Sequence, residues 1–209
     1  MVNILIVDDH AIVRRGLMQI LTDEPDIEVT EVGNPRHALS LICEKTWDLV
    51  VLDLDLPEMS GLDLLKEIKR LKHRLPVLIL SVHPEDQFAI RTLKAGASGF
   101  MSKDAAPEEL VKTIRKVLRG GKYISEKTAE KLLSNLDDKV TEAPHDSLTD
   151  REFQILRLIG RGKTVSEIAA ELSLSVPTVS TYRMRILQKM DLKTTAELIH
   201  YAIKNHLVA

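Results

Sequence analysis

Residues 48–65 read DLVVLDLDLPEMSGLDLL, and this stretch decides the fold. Its apolar run Leu49–Leu52 is short and has no polar alternation, which is typical of a strand buried on both faces of a parallel sheet. The run ends at Asp53, and a second acid, Asp55, follows two residues later. From Gly61 onward, leucine and isoleucine recur at helical spacing. The stretch therefore predicts a buried strand, an acidic loop and an amphipathic helix in succession.

The same alternation of strand and helix patterns continues over the first 120 residues. Short apolar runs predict strands at Asn3–Val7, Ile27–Val32, Leu49–Leu52, Val77–Leu80 and Gly99–Met101. Helical spacing predicts helices at His10–Leu21, Pro35–Glu44, Gly61–Leu71 and Asp86–Ala95, with a fifth between Pro107 and Gly120. Because strands that alternate with helices form βαβ units, we expect an α/β domain with a five-stranded, parallel, doubly wound sheet.

The composition indicates a globular chain with an aliphatic core. Hydrophobic residues make up 44% of the 209 residues and aromatic residues only 3%. The single cysteine, Cys43, excludes an internal disulfide and a thiolate metal site. The apolar runs are far shorter than the roughly 20 residues of a membrane-spanning helix, and the start MVNILIV lacks the basic residues of a signal peptide. We therefore expect a soluble, cytoplasmic protein with no membrane partner.

Charge and pattern divide the chain into three segments. Residues 1–120 carry 16 basic and 19 acidic residues, residues 121–146 carry 4 and 6, and residues 147–209 carry 9 and 6. The middle segment is polar, contains Pro144 and reads as a linker, in which KYISEKTAEKLLSN can form a short helix. From Leu148 on, every pattern is helical and none is typical of a strand. An acidic first domain and a basic all-α second domain suggest two different partners.

Acidic residues follow two of the predicted strands. Asp8 and Asp9 end the first strand and Asp53 ends the third, and in a parallel sheet these ends lie at one edge. Three carboxylates there repel one another unless a cation lies among them, and hard oxygen ligands suit Mg²⁺. Ser81 and Lys103 follow the fourth and fifth strands and can both donate to a phosphoryl oxygen. The set fits a phosphoryl group on one carboxylate, held by Mg²⁺, the hydroxyl and the amine.

Simpler interpretations exist for the individual acids. Asp8 or Asp9 alone can serve as the cap of the first helix. Asp53 and Asp55 project toward the same face of an extended segment, so alternation does not separate them as phosphate acceptors. The position of Asp53 directly after the apolar run favours Asp53. A phosphate loop of the GxxxxGK[ST] kind does not occur, which argues against direct nucleotide binding.

The last segment has the pattern of a helix-turn-helix. Thr149 and Glu152 form a capping-box pattern before one helix, and Ser166–Leu172 and Val176–Met190 form two more around a short turn. A further helix is predicted at Thr195–Asn205. The second helix of such a pair can enter the major groove of double-stranded DNA. Candidates for base contacts are Ser180, Thr181, Met184 and Arg185, and candidates for phosphate contacts are Lys163, Thr164, Thr178, Tyr182 and Lys189.

Residues 1–120 resemble the receiver domain of two-component response regulators, which has a flavodoxin-like fold. The matching stretches are ILIVDDH (4–10), DLVVLDLDLPEMSGLDLL (48–65), VLILSVH (77–83) and KAGASGFMSKDA (94–105). The resemblance implies that a histidine kinase phosphorylates Asp53. It also implies a magnesium site formed by Asp8, Asp9, Asp53 and the backbone carbonyl of Asp55. Ser81 and Lys103 would contact the phosphoryl group, and Phe100 would occupy a switch position and move inward when Ser81 engages it.

Residues 147–209 resemble the LuxR-type helix-turn-helix domain, through LTDRE, IAAELSLSVPTVSTY and the KM-L-K-T ending. Many relatives have a basic residue where this chain has Ser180 and a histidine where it has Tyr182. Together the two resemblances imply a response regulator of the NarL/FixJ-like subfamily. Such a protein is a phosphorylation-controlled transcriptional regulator, not an enzyme, that binds DNA as a homodimer and answers to a cognate sensor kinase.

Two other functions are compatible with the same residues. A magnesium-dependent phosphatase or phosphotransferase would use Asp53 as its nucleophile, since aspartyl-phosphate intermediates occur in true catalysts. In a protein-interaction adaptor, the helical C-terminal segment would not bind DNA, and its basic residues would only be solvated surface residues. Turnover of a small phosphate ester would indicate the first function, and a salt-dependent gel shift with DNA would exclude the second.

Overall fold

The computed structural model describes residues 1–82, 85–125, 128–130, 144–205 and 207–208. The chain forms two compact units, Met1–Asp138 and Lys139–Ala209. Residues 128–130 are helical, but the predicted linker over residues 121–146 and the short helix within it lie mostly outside the described residues. Within the described residues, no helix is long and apolar enough to cross a membrane.

The first unit is built on a five-stranded sheet of order β2-β1-β3-β4-β5, in which every neighbouring pair is parallel. The strands are β1 (Val2–Val7), β2 (Ile27–Val32), β3 (Leu49–Leu52), β4 (Val77–Ser81) and β5 (Gly99–Ser102). This order is that of a doubly wound flavodoxin-like fold, whose ligands bind beyond the carboxyl ends of the strands. The predicted fold class is confirmed.

Helices connect the strands and cover both faces of the sheet. They are α1 (Ala11–Thr22), α2 (Pro35–Glu44), α3 (Gly61–Leu71), α4 (Glu85–Lys94) and α5 (Pro107–Leu118). Side-chain caps fix where two of them begin, since Asn34 accepts hydrogen bonds from the first turn of α2 and Ser60 accepts one in α3. The predicted bounds hold to within one residue, and β4 extends to Ser81 because this residue pairs with Ser102 of β5.

The core of the first unit is aliphatic, as the composition predicts. The central strands β1 and β3 are completely or almost completely buried along Ile4–Val7 and Leu49–Leu52. One face of the sheet packs against Leu17 and Leu21 of α1 and Ile114 and Val117 of α5. Burial on both faces explains why these strands read as unbroken apolar runs. It also gives the loops at the carboxyl edge a rigid platform.

The second unit is helical throughout its described residues. A 3₁₀ turn at Pro144–Ser147 precedes α6 (Asp150–Gly160), α7 (Val165–Glu171), α8 (Val176–Lys189) and α9 (Thr195–Lys204). Capping boxes begin three of these helices, including the one predicted at Thr149 and Glu152. Ser173 has a φ of 52°, which turns the chain sharply between α7 and α8. The predicted helix-turn-helix is therefore present.

Candidate functional site

Two buried aspartates and one lysine meet at the carboxyl edge of the sheet. Asp8 follows β1 and Asp53 follows β3, and each is only 2% exposed. Lys103, which follows β5, places its Nζ 2.7 Å from Asp8 Oδ2 and 2.7 Å from Asp53 Oδ2. One ammonium group thus bridges two buried carboxylates that would otherwise repel each other. The structure thus brings Asp8, Asp53 and Lys103 together.

Backbone donors hold the second oxygen of each carboxylate. The N–H of Leu54 donates to Asp53 Oδ1 at 2.7 Å, and the N–H of His10 donates to Asp8 Oδ1 at 2.8 Å. Both oxygens of each aspartate therefore have a hydrogen-bond donor, one from the main chain and one from Lys103. These bonds lock the orientation of the two carboxylates, as a preorganised site requires.

Burial and pairing act in opposite directions on the charges of this site. The pKa of Asp53 is raised to about 6, mainly by burial and to a lesser extent by the charges of Asp8 and Asp55, while the hydrogen bond and the charge of Lys103 oppose the rise. Burial lowers the pKa of Lys103, but its hydrogen bonds to Asp53 and Asp8 outweigh this effect and leave the pKa above its ordinary value. Lys103 therefore stays protonated next to Asp53, whose ionised form is destabilised by burial.

The donor set around these residues suits a hard divalent cation. Asp8, Asp9, His10 and Asp53 each place one possible ligand atom so that all four atoms lie within 4.8 Å of one another. Three of the four are carboxylates, the oxygen ligands that Mg²⁺ prefers. Asp9 is exposed, so one side of the cluster is open to solvent. The residues present therefore fit the predicted magnesium site.

His10 is a member of this cluster that the sequence reasoning missed. The residue was expected only at the start of the first helix, and it is indeed the N-cap of α1, but its side chain makes no capping hydrogen bond. Its Nδ1 instead lies 2.6 Å from Asp9 Oδ1 and 3.4 Å from Asp8 Oδ1. The run Asp8-Asp9-His10 is the signal in the sequence that places it there.

The remaining predicted residues of the first unit lie in the same region. Ser81 is completely buried at the end of β4, and its carbonyl oxygen accepts a hydrogen bond from the N–H of Lys103 at 2.9 Å. Asp55 is half-buried, and its charge acts on Asp53. Phe100 lies in β5 opposite Ile79 and is 0% exposed. The family resemblance implies that Phe100 moves inward when Ser81 engages the phosphoryl group, but in this structure Phe100 is already buried.

Gly61 supports the Asp53 loop in a way that spacing alone does not reveal. Its N–H donates to the carbonyl of Leu54 at 2.9 Å. A Cβ atom at this position would lie 2.0 Å from the carbonyl oxygen of Asp53 and 2.6 Å from the Cα of Leu54. The start of α3 therefore packs directly on the backbone of Asp53, and only glycine allows this approach.

Arg14 of α1 supports the other aspartate. Its Nη1 donates to the carbonyl oxygen of Asp8 at 2.7 Å, and its Nε lies 3.3 Å from Glu31 Oε2. The guanidinium thus ties the end of β1 to α1 and to β2. Nothing in the sequence signals this contact, because it depends on the reach of the Arg14 side chain to a backbone carbonyl six residues earlier.

In the second unit, α8 presents a mixed outer surface. Ser175 caps the helix by accepting a hydrogen bond from the N–H of Thr178, and Val179 and Ile186 are buried against the other helices. The predicted base-contact residues lie on the accessible part: Thr181 and Arg185 are exposed, Ser180 is half-buried and Met184 is 67% exposed. Tyr182 is half-buried. The helix therefore presents several side chains to solvent.

The predicted phosphate contacts have partners within the fold. Lys163 pairs with Glu171, Thr164 caps α7 in a capping box with Glu167, and the hydroxyls of Thr178 and Ser175 are 2.7 Å apart. These side chains lie at the starts of α7 and α8, where helix N-termini attract anions.

Lys189 has a structural partner that the sequence reasoning did not anticipate. Its Nζ lies 2.7 Å from Glu152 Oε2, and Glu152 is only 2% exposed. Burial raises the pKa of Glu152, but hydrogen bonds from Lys189 and Thr149 outweigh it and hold the pKa below its ordinary value. Since a buried carboxylate left unpaired is strongly destabilising, Lys189 holds α8 on α6.

Together the geometry defines a class of protein: an acidic phosphoryl-type site on a doubly wound sheet, joined in one chain to a helix-turn-helix. The chain matches the family model for the response regulator receiver domain over residues 4–115 and the model for bacterial regulatory proteins of the luxR family over residues 146–202. It belongs to the response regulators that combine these two domains. It is therefore a DNA-binding transcription regulator of a two-component system.

Relatives match the chain over nearly its whole length. It is 37% identical to response regulator UvrY of Escherichia coli (strain K12), over 99% of this chain and 96% of that protein. It is 35% identical to response regulator GacA of Pseudomonas aeruginosa, over 100% and 98%. Among solved structures, the RcsB–DNA complex is similar with a TM-score of 0.60 and 25% identity, over 96% of each chain. RcsB has also been seen as two dimers bound to two parallel DNAs.

Proposed function

We propose that a cognate sensor histidine kinase phosphorylates Asp53 and that this modification controls the binding of the chain to DNA. One observation carries the proposal: Lys103 Nζ contacts both Asp8 and Asp53 at 2.7 Å, and the backbone of Lys103 pairs with Ser81. An ammonium group held there is adjacent to a phosphoryl group on Asp53 and can donate to its oxygens.

The transfer itself uses a carboxylate oxygen of Asp53. That oxygen forms a bond to phosphorus while the bond between phosphorus and the donor's leaving atom breaks, and the electron pair leaves with the donor. Burial raises the energy of the charged carboxylate, and the bond from Leu54 holds it in one orientation. Ser81 and Lys103 then donate to the phosphoryl oxygens, so the ammonium exchanges part of its contact with Asp53 for a contact with the phosphate.

Asp8, Asp9 and Asp53 would hold Mg²⁺ in this site, as their carboxylate oxygens and their proximity allow. The backbone carbonyl of Asp55, which the family resemblance implies as a further ligand, would complete the set. The metal, when bound, supplies positive charge that offsets the negative charge of the phosphoryl oxygens. His10 orients Asp9 through its short contact to that carboxylate. Arg14 holds the backbone of Asp8 in place.

The second unit reads DNA through α8, with Ser180, Thr181, Met184 and Arg185 toward base edges. The DNA phosphates are contacted by Lys163, Thr164, Thr178 and Tyr182. The main role of Lys189 is to hold α8 in place through its ion pair with the buried Glu152. Residues 147–209 carry nine basic and six acidic residues, so this part of the chain is only modestly cationic. One copy should therefore bind weakly, and a homodimer on paired half-sites gains affinity because the second contact is intramolecular. We propose that phosphorylation favours this dimer.

Intact-mass spectrometry of the full chain tests the acceptor. With acetyl phosphate and Mg²⁺, the wild type should gain one phosphoryl group and Asp53→Asn should gain none, while the exposed Asp104→Asn variant should behave like the wild type. Gain of a phosphoryl group by Asp53→Asn, or its loss in Asp55→Asn alone, would show that another residue is the acceptor.

The enzyme alternative is tested on the same sample. An enzyme with Asp53 as nucleophile would release phosphate from a small phosphate ester with many turnovers, whereas a regulator retains a single adduct. We expect no turnover of p-nitrophenyl phosphate with Mg²⁺ present. Sustained release that is lost in Asp53→Asn would establish the phosphatase instead.

A further inference from the structure

We propose that Met184 recognises the 5-methyl group of a thymine in the major groove and is a specificity determinant of the operator. This inference rests on the proposed function, in which α8 enters the groove. It adds the chemical feature that the centre of the helix reads, namely an apolar methyl group rather than a hydrogen-bonding base edge.

Met184 stands at the middle of the face of α8 that is turned away from the core. Val179 and Ile186 are 0% exposed and define the inner face. With 3.6 residues per turn, Met184 lies about 160° around the helix axis from Ile186. Its side chain is 67% exposed, so most of this large apolar group is accessible to a partner such as DNA.

Several polar groups near Met184 make hydrogen bonds or ion pairs within the second unit. Thr181 lies one turn earlier, and its hydroxyl donates to the carbonyl of Pro177 at 3.0 Å. That bond uses the proton of the hydroxyl, so Thr181 offers an outside partner its methyl group and an acceptor oxygen but no donor. The Nη1 of Arg183 lies 3.4 Å from Thr195 Oγ1, and Lys189 pairs with Glu152. Two of the three cationic side chains of α8 therefore serve the fold rather than this surface.

Thymine is the standard base that offers a matching group. Its C5-methyl projects into the major groove, where the other bases offer hydrogen-bond donors and acceptors. A methionine side chain is flexible and polarisable, so it adapts to a methyl group at somewhat variable positions. A hydrogen-bonding base edge opposite Met184 would instead lose its water without gaining a partner. The geometry therefore favours a T·A pair at this position.

The test removes only the methyl group. The full-length chain, phosphorylated with acetyl phosphate, selects duplexes from a random pool, and each thymine of the selected half-site is replaced in turn by deoxyuridine. At one thymine per half-site we expect the wild type to lose affinity about fourfold, the equivalent of about 0.8 kcal/mol for one buried methyl group. Met184→Ala should bind the thymine duplex more weakly and should be indifferent to deoxyuridine at that thymine, while Met184→Leu should keep the discrimination.

Two results would overturn the inference. The first is that no deoxyuridine substitution changes the affinity of the wild type. The second is that deoxyuridine lowers the affinity of Met184→Ala as much as that of the wild type, which would mean that another group contacts the thymine methyl. Because Met184 is exposed, Met184→Ala should keep the wild-type circular dichroism spectrum, so a loss of affinity is not a loss of fold. Failure of the wild type to select any duplex would overturn the proposed DNA binding and this inference together.

Discussion

Gly61→Ala is the substitution that most sharply tests how the Asp53 loop is built. A Cβ atom at this position would lie 2.0 Å from the carbonyl oxygen of Asp53 and 2.6 Å from the Cα of Leu54. Both neighbours are backbone atoms, so no side chain can rotate away. The loop and the start of α3 must move apart, and overpacking of this kind costs about 1–3 kcal/mol. The movement also displaces the backbone of Asp53, whose side chain contacts Lys103.

Gly16→Ala is the matched control. Gly16 lies within α1 and has no atom within 4 Å of the position that a Cβ would occupy. The same added methyl group should therefore stabilise the first unit by about 0.5–1 kcal/mol, because alanine favours the helix more than glycine does. The two substitutions are chemically identical and should change the free energy of unfolding in opposite directions.

Urea unfolding followed by tryptophan fluorescence measures both effects. Trp47 is the single tryptophan of the chain, and its Nε1 donates to the carbonyl of Leu41 at 2.9 Å, so its emission reports on the first unit. Gly61→Ala should lower the urea midpoint and slow phosphorylation by acetyl phosphate, and Gly16→Ala should raise the midpoint without slowing phosphorylation. If Gly61→Ala and the wild type had equal urea midpoints and equal phosphorylation rates, the close packing of Gly61 on the backbone of Asp53 would be refuted.

Three further substitutions test the charged groups. Lys103→Met leaves two buried carboxylates without their shared cation, so it should destabilise the first unit by about 3–5 kcal/mol in the absence of Mg²⁺. Mg²⁺ should restore part of this stability. An unchanged urea midpoint would contradict the ion pairs of Lys103 with Asp8 and Asp53. Because the pKa of Glu152 is lowered in the fold, its stabilising effect is present above the ordinary pKa and is lost as the pH falls toward the folded value. Glu152→Gln should therefore remove stability at neutral pH but little in strong acid, as followed by thermal unfolding with circular dichroism, and a constant difference across that pH range would argue against the ion pair. Lys189→Met should lower the thermal stability of the second unit and leave the salt dependence of DNA binding unchanged, whereas a phosphate contact would reduce the salt slope by about one.

Most of the fold follows from periodicity in the sequence. The buried strands are short apolar runs because both faces of the sheet are covered, and the helices have apolar stripes because only one side is buried. The single extension that matters for the site is Ser81, which no apolar pattern includes. It belongs to β4 only because its backbone pairs with Ser102 of the neighbouring strand.

The convergence of Asp8, Asp53, Ser81 and Lys103 also follows from the sequence, because the carboxyl ends of parallel strands share one edge. Gly61 and Arg14 do not follow from it, since both act on backbone carbonyls that are brought close only by the folded loops. The order of residue types along the chain does not predict which side chain or Cα lies close to a distant backbone carbonyl.

The role of Lys189 shows a similar limit in the second unit. A basic residue near the end of a recognition helix has the same appearance in sequence whether it binds a phosphate or a protein carboxylate. Its partner Glu152 lies 37 residues earlier and is buried by the packing of α6 against α8. The contact of Lys189 with Glu152 is therefore visible only in the tertiary structure.

The most direct test of the central claim is the affinity of the full chain for a selected DNA duplex, measured by fluorescence anisotropy with and without acetyl phosphate. Allosteric coupling between two sites amounts typically to about 5–150-fold, so we expect acetyl phosphate and Mg²⁺ to tighten wild-type binding within that range. Asp53→Asn should bind with the affinity of the untreated wild type under both conditions. Equal affinities of the treated and untreated wild type, or an equal gain in Asp53→Asn, would contradict control of DNA binding by phosphorylation of Asp53.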